Sequence, residues 1–168
     1  EPFAVFLVDE VVLSQKPCMA QVVDLYNERG GCIFALAEVP NAQTNKYGIV
    51  DVAADDGRVI DISGMVEKPE PAVAPSNMCI IGRYVLQPEV FDYLGRMERG
   101  IGGEIQLTDS LAKLIDDGIP FHGLRFEGRR FDCGGKAGFL QANIAFALAR
   151  DDLRDELSEF LKNPTGST

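Results

Sequence analysis

The sequence has no tryptophan, one histidine (His122) and an acidic excess, with 16 Lys and Arg against 26 Asp and Glu for a net charge of -10. A single histidine removes most of the support for Ser-His-Asp triads, HExxH zinc sites and histidine phosphotransfer. The shortage of positive charge removes the electrostatic footprint of a nucleic-acid binder or of a protein held on an anionic membrane. Cys18, Cys32, Cys79 and Cys133 are scattered without a CxxC pair, and no apolar leader with a basic flank precedes them. That usage reads as a reduced, cytoplasmic chain, not a disulfide framework or a zinc site. The longest apolar stretches, such as residues 3–8, fall far short of the roughly 18 residues of a membrane span. No Walker loop is present, because the residue five before Gly135-Lys136 is Arg130, and Gly100-Ile-Gly-Gly103 misses the dinucleotide-binding spacing. Carboxylates, lysines and backbone amides are left to do any chemistry.

What is present is globular in kind. The 168 residues are 46% hydrophobic and 25% charged, enough for one ordinary domain with a real core. Residues 3–8 are apolar at every position, which reads as a central strand buried on both faces. Met19, Val22, Val23 and Tyr26 recur at helical spacing before Gly30-Gly31, a helix stop. Residues 32–39 form a second apolar strand. Strand, helix and strand of these lengths predict a βαβ unit with a parallel pair. Residues 47–52 and 58–66 flank Asp55-Asp-Gly57 and read as a hairpin. Prolines 69, 71 and 75 mark an extended connection. Residues 78–86 return as a strand, and Pro88 opens a short helix. Leu107, Leu111, Leu114 and Ile115 lie on one helical face ending at Gly118. Two short strands, 120–126 and 129–132, surround the turn at Glu127-Gly128. Two helical stripes finish the chain, one through Phe139, Leu140, Ile144 and Leu148, the other through Leu153, Leu157, Phe160 and Leu161.

Three places could carry chemistry. Asp9 ends the first strand, and open α/β sheets bind ligands at the carboxyl ends of their strands. Asp132 repeats this arrangement just before Gly134-Gly135. Two such carboxylates suit Mg²⁺, which takes one or two protein carboxylates and completes its shell with substrate phosphate; a turn former or helix cap fits the same pattern. Glu67-Lys68, stiffened by Pro69, offers a carboxylate for sugar hydroxyls beside an ammonium for phosphate, or simply a solvated ion pair. Gly103-Glu104-Ile-Gln-Leu-Thr-Asp109 opens a helix whose first turn can bind an anion or serve as an ordinary N-terminal cap.

Together these segments resemble the bacterial UTP:glucose-1-phosphate uridylyltransferases, sugar nucleotidyltransferases with a GT-A-like fold. The resemblance runs from Glu1 to about Leu161. It rests on Glu1-Pro-Phe-Ala-Val with the following Asp9, Lys46-Tyr-Gly-Ile-Val50, Val66-Glu-Lys-Pro69, Pro75-Ser-Asn77 with Ile81-Gly-Arg-Tyr-Val-Leu86, Gly102-Gly-Glu-Ile-Gln-Leu-Thr-Asp109 and Arg130-Phe-Asp-Cys-Gly134.

The resemblance implies a partial α/β, Rossmann-like fold, a mixed sheet with flanking helices over residues 1–149; apart from it, the apolar stripes of the terminal helices predict oligomerisation through a helix over 150–162, and residues 163–168 read as a flexible tail. It implies Asp9 and Asp132 as ligands of Mg²⁺, with Asp9 and Lys68 as the catalytic pair. Gly48 would approach the sugar, Glu67 would bind glucose hydroxyls and Lys68 the sugar phosphate. Asn77 and Ile80 would border the sugar pocket, Ile80 through its backbone, and Glu104 and Gln106 would line the same side. The implied partners are UTP, glucose 1-phosphate, UDP-glucose and further copies of the chain. Three departures stand out: Val8 where the family has proline before its metal aspartate, Gly135 where it often has Asp, and no Gly-rich triphosphate loop or uracil-reading segment. The chain is therefore expected to be the later part of such an enzyme, with the activity belonging to the full-length parent. A non-catalytic sugar-phosphate or assembly module, and a relative using dTTP or CTP, are the alternatives.

Overall fold

The computed structural model describes residues 1–95 and 106–166. It divides the chain into two compact units, Glu1–Leu7 with Cys18–Glu127, and Val8–Pro17 with Gly128–Thr168.

The first unit is built on a six-stranded sheet. Its strands are β1 (Phe3–Phe6), β3 (Cys32–Glu38), β4 (Gly48–Asp55), β5 (Val59–Glu67), β6 (Met78–Leu86) and β7 (Phe121–Arg125), in the spatial order β1-β6-β3-β7-β5-β4. Helix α1 (Cys18–Arg29) packs on β3 and β6, and α3 (Leu107–Asp116) packs on β5, with the short α2 (Val90–Leu94) against α3. β3 reads as an apolar run and β6 as one broken only by Gly82-Arg83, because both are covered on both faces; Phe34, Leu36, Ile81 and Leu86 are almost wholly buried. Phe34 sits at the centre, edge-on to Tyr84 and Phe121 at 5.2 and 5.4 Å between ring centroids. Truncating such a ring to alanine costs about 3–5 kcal/mol. The stop after α1 is made by Gly30 and Gly31, both at φ 71°, a left-handed backbone that glycine adopts without a Cβ clash. Gln21 ties this helix to the loop after β7, donating through Nε2 to the Glu127 carbonyl and accepting from the Glu127 N–H, each at 2.8 Å.

Two expectations are corrected here. Residues 3–8 do not form a central strand: β1 stops at Phe6, stands at one end of the sheet order and alternates half-buried Phe3 and Val5 with exposed Ala4 and Phe6. An all-apolar run does not distinguish a central strand from a terminal one, because its outward residues are apolar too. β1 and β3 are not neighbours either. Both run antiparallel to β6, which lies between them, and β3 instead pairs in parallel with β7. The βαβ unit exists in direction but not in adjacency.

The second unit holds a two-stranded antiparallel sheet of β2 (Glu10–Leu13) and β8 (Arg129–Asp132), with Glu10 opposite Asp132. Helix α4 (Lys136–Leu148) packs on β8 and α5 (Asp151–Lys162) packs on α4, where Phe146 meets Phe131 at 6.2 Å. β2 was not predicted. Four residues opening on a glutamate give no period, and their partner lies more than a hundred positions away. The strands at 121–125 and 129–132 are both present but do not pair with each other: β7 joins β3 and β5, and β8 joins β2. No helix among the described residues is long and apolar enough to cross a membrane.

Candidate functional site

In the first unit, the β4–β5 register sets Gly48 opposite Glu67, and α3 brings a third group to the same point. A Cβ on Gly48 would lie 3.3 Å from Glu67 Oε2, 3.4 Å from Ile80 Cδ1 and 3.5 Å from Thr108 Oγ1. Glycine at position 48 therefore leaves an opening with a carboxylate and a hydroxyl on its walls. The Glu67 side chain is 23% exposed; Thr108 donates to its Oε2 at 2.6 Å, and Lys68 Nζ stands 3.6 Å from its Oε1. Lys68 is the one non-glycine residue with positive φ among those described, at 47°. Its N–H donates to the Tyr47 carbonyl at 3.0 Å, which pins the turn between β5 and Pro69. Non-glycine residues held in this region cost on the order of 1 kcal/mol or more and gather at functional sites.

The other predicted residues of this group have separate placements. Ile80 walls the opening with its side chain, through Cδ1. Asn77 enters β6, where its carbonyl accepts from the Val39 N–H at 3.0 Å. Gln106 is the N-cap residue of α3, two positions before Thr108, in extended backbone (φ -85°, ψ 126°). Glu104 and the loop Gly100-Ile-Gly-Gly103 lie outside the described residues. His122, on β7, donates from Nδ1 to Asp61 Oδ1 of the paired β5 at 2.7 Å and takes no part in this cluster.

The second unit brings the two predicted metal ligands to one place. A Cβ on Gly134 would lie 3.2 Å from Asp132 Oδ1 and 3.3 Å from Asp9 Oδ2. Two hard carboxylate oxygens thus face a space that any other residue would fill, a donor set suited to Mg²⁺ completed by ligand phosphate. Backbone bonds fix the pair: Cys133 N–H donates to the Asp9 carbonyl at 2.7 Å and Gly134 N–H to Asp132 Oδ1 at 3.1 Å. Beside them opens a hollow of about 400 Å³ lined by Cys133, Gly134, Lys136, Phe139 and Leu140.

The residue between the pair in register, Glu10, has a different task. It is 8% exposed, and Arg130 grips it through both guanidinium edges, Nε donating to Oε2 at 2.7 Å. Burial pushes the Glu10 carboxyl above the usual carboxylate range, the Arg130 fork pulls it down, and Asp132 and Asp9 add to the rise. Neither Glu10 nor Thr108 is singled out by the sequence: Glu10 meets Arg130 across 120 positions, and Thr108 stands out only as a member of the motif Gly102–Asp109.

The α/β framework that carries these clusters belongs to a family of nucleotide-transferring enzymes: the model of the family described as nucleotidyl transferase matches residues 1–147, and the chain belongs to that family. Within it the chain is similar to named enzymes of one kind. It is 53% identical over 136 residues to the UTP–glucose-1-phosphate uridylyltransferase of Komagataeibacter xylinus, covering 81% of this chain and 48% of that protein. It is 43% identical over 162 residues to the enzyme of the same name from Staphylococcus haemolyticus, covering 96% and 56%. Among solved structures, a UDP-glucose pyrophosphorylase complexed with UDP-glucose superposes at a TM-score of 0.83 with 36% identity, over 89% of this chain and 57% of that one. The chain spans about half the length of the curated relatives it matches.

Proposed function

We propose that this chain supplies the sugar-phosphate-binding and metal-binding part of a UTP:glucose-1-phosphate uridylyltransferase. The observation that carries the reading is Glu67 beside Lys68 at the end of β5, with Lys68 held in a left-handed backbone of the kind that gathers at functional sites. Glu67 accepts glucose hydroxyls, Gly48 lets the sugar ring approach the backbone, and Ile80 walls it, with Asn77 and Gln106 as further surroundings. Lys68 neutralises the sugar phosphate. A phosphate oxygen of glucose 1-phosphate attacks the α-phosphorus of UTP, that O–P bond forms, the bond to the bridging oxygen of the β-phosphate breaks, and pyrophosphate leaves. No protein nucleophile is consumed, so positioning and charge neutralisation are the whole of the protein's contribution. Asp9 and Asp132 would hold Mg²⁺, which when bound neutralises the charge on the transferring phosphates. The relatives' names carry UTP, and UTP is the nucleotide assigned here ahead of dTTP or CTP.

Self-association belongs to the same reading. Phe139, Leu140, Leu153 and Phe160 on α4 and α5 are exposed, and apolar helix faces of this kind pair with further copies. Light scattering at rising concentration checks this, and a monomer throughout refutes it.

The functional reading is tested by titrating the chain with glucose 1-phosphate and UDP-glucose in the presence of Mg²⁺, followed by NMR or calorimetry. Binding of both is expected, with about a tenfold loss in Glu67→Gln, which keeps the shape but removes the charge that strengthens hydrogen bonds. A chain that binds neither overturns the reading. Pyrophosphate release on adding UTP then separates catalysis by this chain from binding alone.

A further inference from the structure

Resting on that reading of the Glu67 site, we propose that Thr108 is a positioning residue that sets which hydroxyl of the sugar phosphate Glu67 recognises. An ionised carboxylate only accepts hydrogen bonds and offers about four lone-pair directions on its two oxygens. Thr108 Oγ1, 2.6 Å from Oε2, therefore donates, and one direction on that oxygen is occupied before any ligand arrives. Lys68 Nζ, 3.6 Å from Oε1, draws on the other oxygen. The carboxylate is held from both ends, and the directions left open are those that a pair of neighbouring sugar hydroxyls can use.

The position of Thr108 makes it a firm support. It is the second residue of α3, whose Leu111 and Leu114 are almost wholly buried, so the helix cannot shift without opening the core. A Cβ on Gly48 would lie 3.5 Å from the same Thr108 oxygen, so the hydroxyl borders the opening itself. A threonine that bonds Glu67 and also faces the ligand space links α3 to sugar recognition. A bond from a hydroxyl to a charged acceptor, when lost, is worth about a tenfold change in affinity.

The test compares the wild-type chain with Thr108→Val, which keeps the shape and deletes the hydroxyl, and Thr108→Ser, which keeps the hydroxyl. Each is titrated with glucose 1-phosphate and with its 2-deoxy and 3-deoxy analogues, and thermal midpoints are recorded alongside. The expected result is about tenfold weaker binding of glucose 1-phosphate by Thr108→Val, a smaller penalty for the deoxy analogues so that discrimination shrinks, and recovery in Thr108→Ser. In a Glu67→Gln background, Thr108→Val should add little. A Thr108→Val chain that binds and discriminates like wild type overturns the inference while leaving the Glu67 assignment intact. A drop in thermal midpoint with unchanged discrimination also overturns it, since that is a purely structural role. Failure of the wild type to bind glucose 1-phosphate removes the underlying reading and this inference with it.

Discussion

Glu67 in the first unit and the Asp9–Asp132 pair in the second are all carboxylates at strand ends, yet their surroundings fit them for different partners. Glu67 is flanked by donors, a hydroxyl on one oxygen and an ammonium beside the other, and its remaining directions suit hydroxyls. Asp9 and Asp132 bring two oxygens of like charge toward one small space above Gly134, which suits a cation. A fourth carboxylate, Glu10, is buried against Arg130 and serves the scaffold. The residue type says little here; the groups within about 4 Å decide between ligand, metal and structure.

The sharpest way to break this comparison is to remove the scaffold pair. Arg130→Met leaves the buried Glu10 without its guanidinium and should cost about 3 kcal/mol or more, read by urea denaturation with circular dichroism. Arg130→Met combined with Glu10→Met should recover most of that loss, because two apolar side chains replace a buried ion pair at little cost. If the single change is harmless, Glu10 is not a structural carboxylate.

Exchanging the roles of the ligand carboxylates comes next. Asp9→Asn and Asp132→Asn should each weaken binding of Mn²⁺, used as a paramagnetic stand-in for Mg²⁺, by tenfold or more while metal-free glucose 1-phosphate binding changes little. Glu67→Gln should do the reverse. Equal loss of both ligands in every variant would show one shared site and erase the distinction drawn above.

A smaller effect is expected at Lys68, where stability and recognition pull in opposite directions. Lys68→Gly releases the positive-φ strain and should stabilise the chain by up to about 1 kcal/mol relative to Lys68→Ala, with both variants losing sugar-phosphate affinity. Equal stability of the two would mean that the left-handed backbone is not strained.

The smallest effect is far from either cluster. Arg125 forks onto Asp55 at 2.6 and 2.8 Å, and this, with the Gly57 N–H, draws the exposed Asp55 carboxyl down to about 2. A carboxyl lowered in the folded state adds stability above its unfolded value of about 4, and that contribution fades as the pH falls toward 2. Urea midpoints measured between pH 5 and 2 should fall less steeply in Asp55→Asn than in wild type.

Much of the fold was legible because its signals are local. The α1 period with Gly30-Gly31, the β4–β5 hairpin around Asp55-Asp-Gly57 and the α3 stripe each lie within a few turns of chain. What was not legible depended on distant partners: the neighbour of β1, the existence of β2, and the pairing of β8. The site followed the same division. Glu67-Lys68, Asp132 and Asp9 could be singled out from short motifs, although Asp9 lies in the turn before β2 and not at the end of β1, and the roles proposed for them came from the resemblance. Thr108 meets Glu67 across 41 positions and Glu10 meets Arg130 across 120, separations that leave no trace in spacing.

The strand order also governs how the chain assembles during synthesis. β1 can meet β6, its sheet neighbour among the described residues, after residues 78–86 have left the ribosome, and β2 must wait for residues 129–132. At roughly 5–20 residues per second, each of these two pairings closes on the order of ten seconds after its first strand is made. Phe3, Val5 and Phe6 thus belong to a strand whose β6 partner arrives late, the kind of apolar segment that chaperones shield.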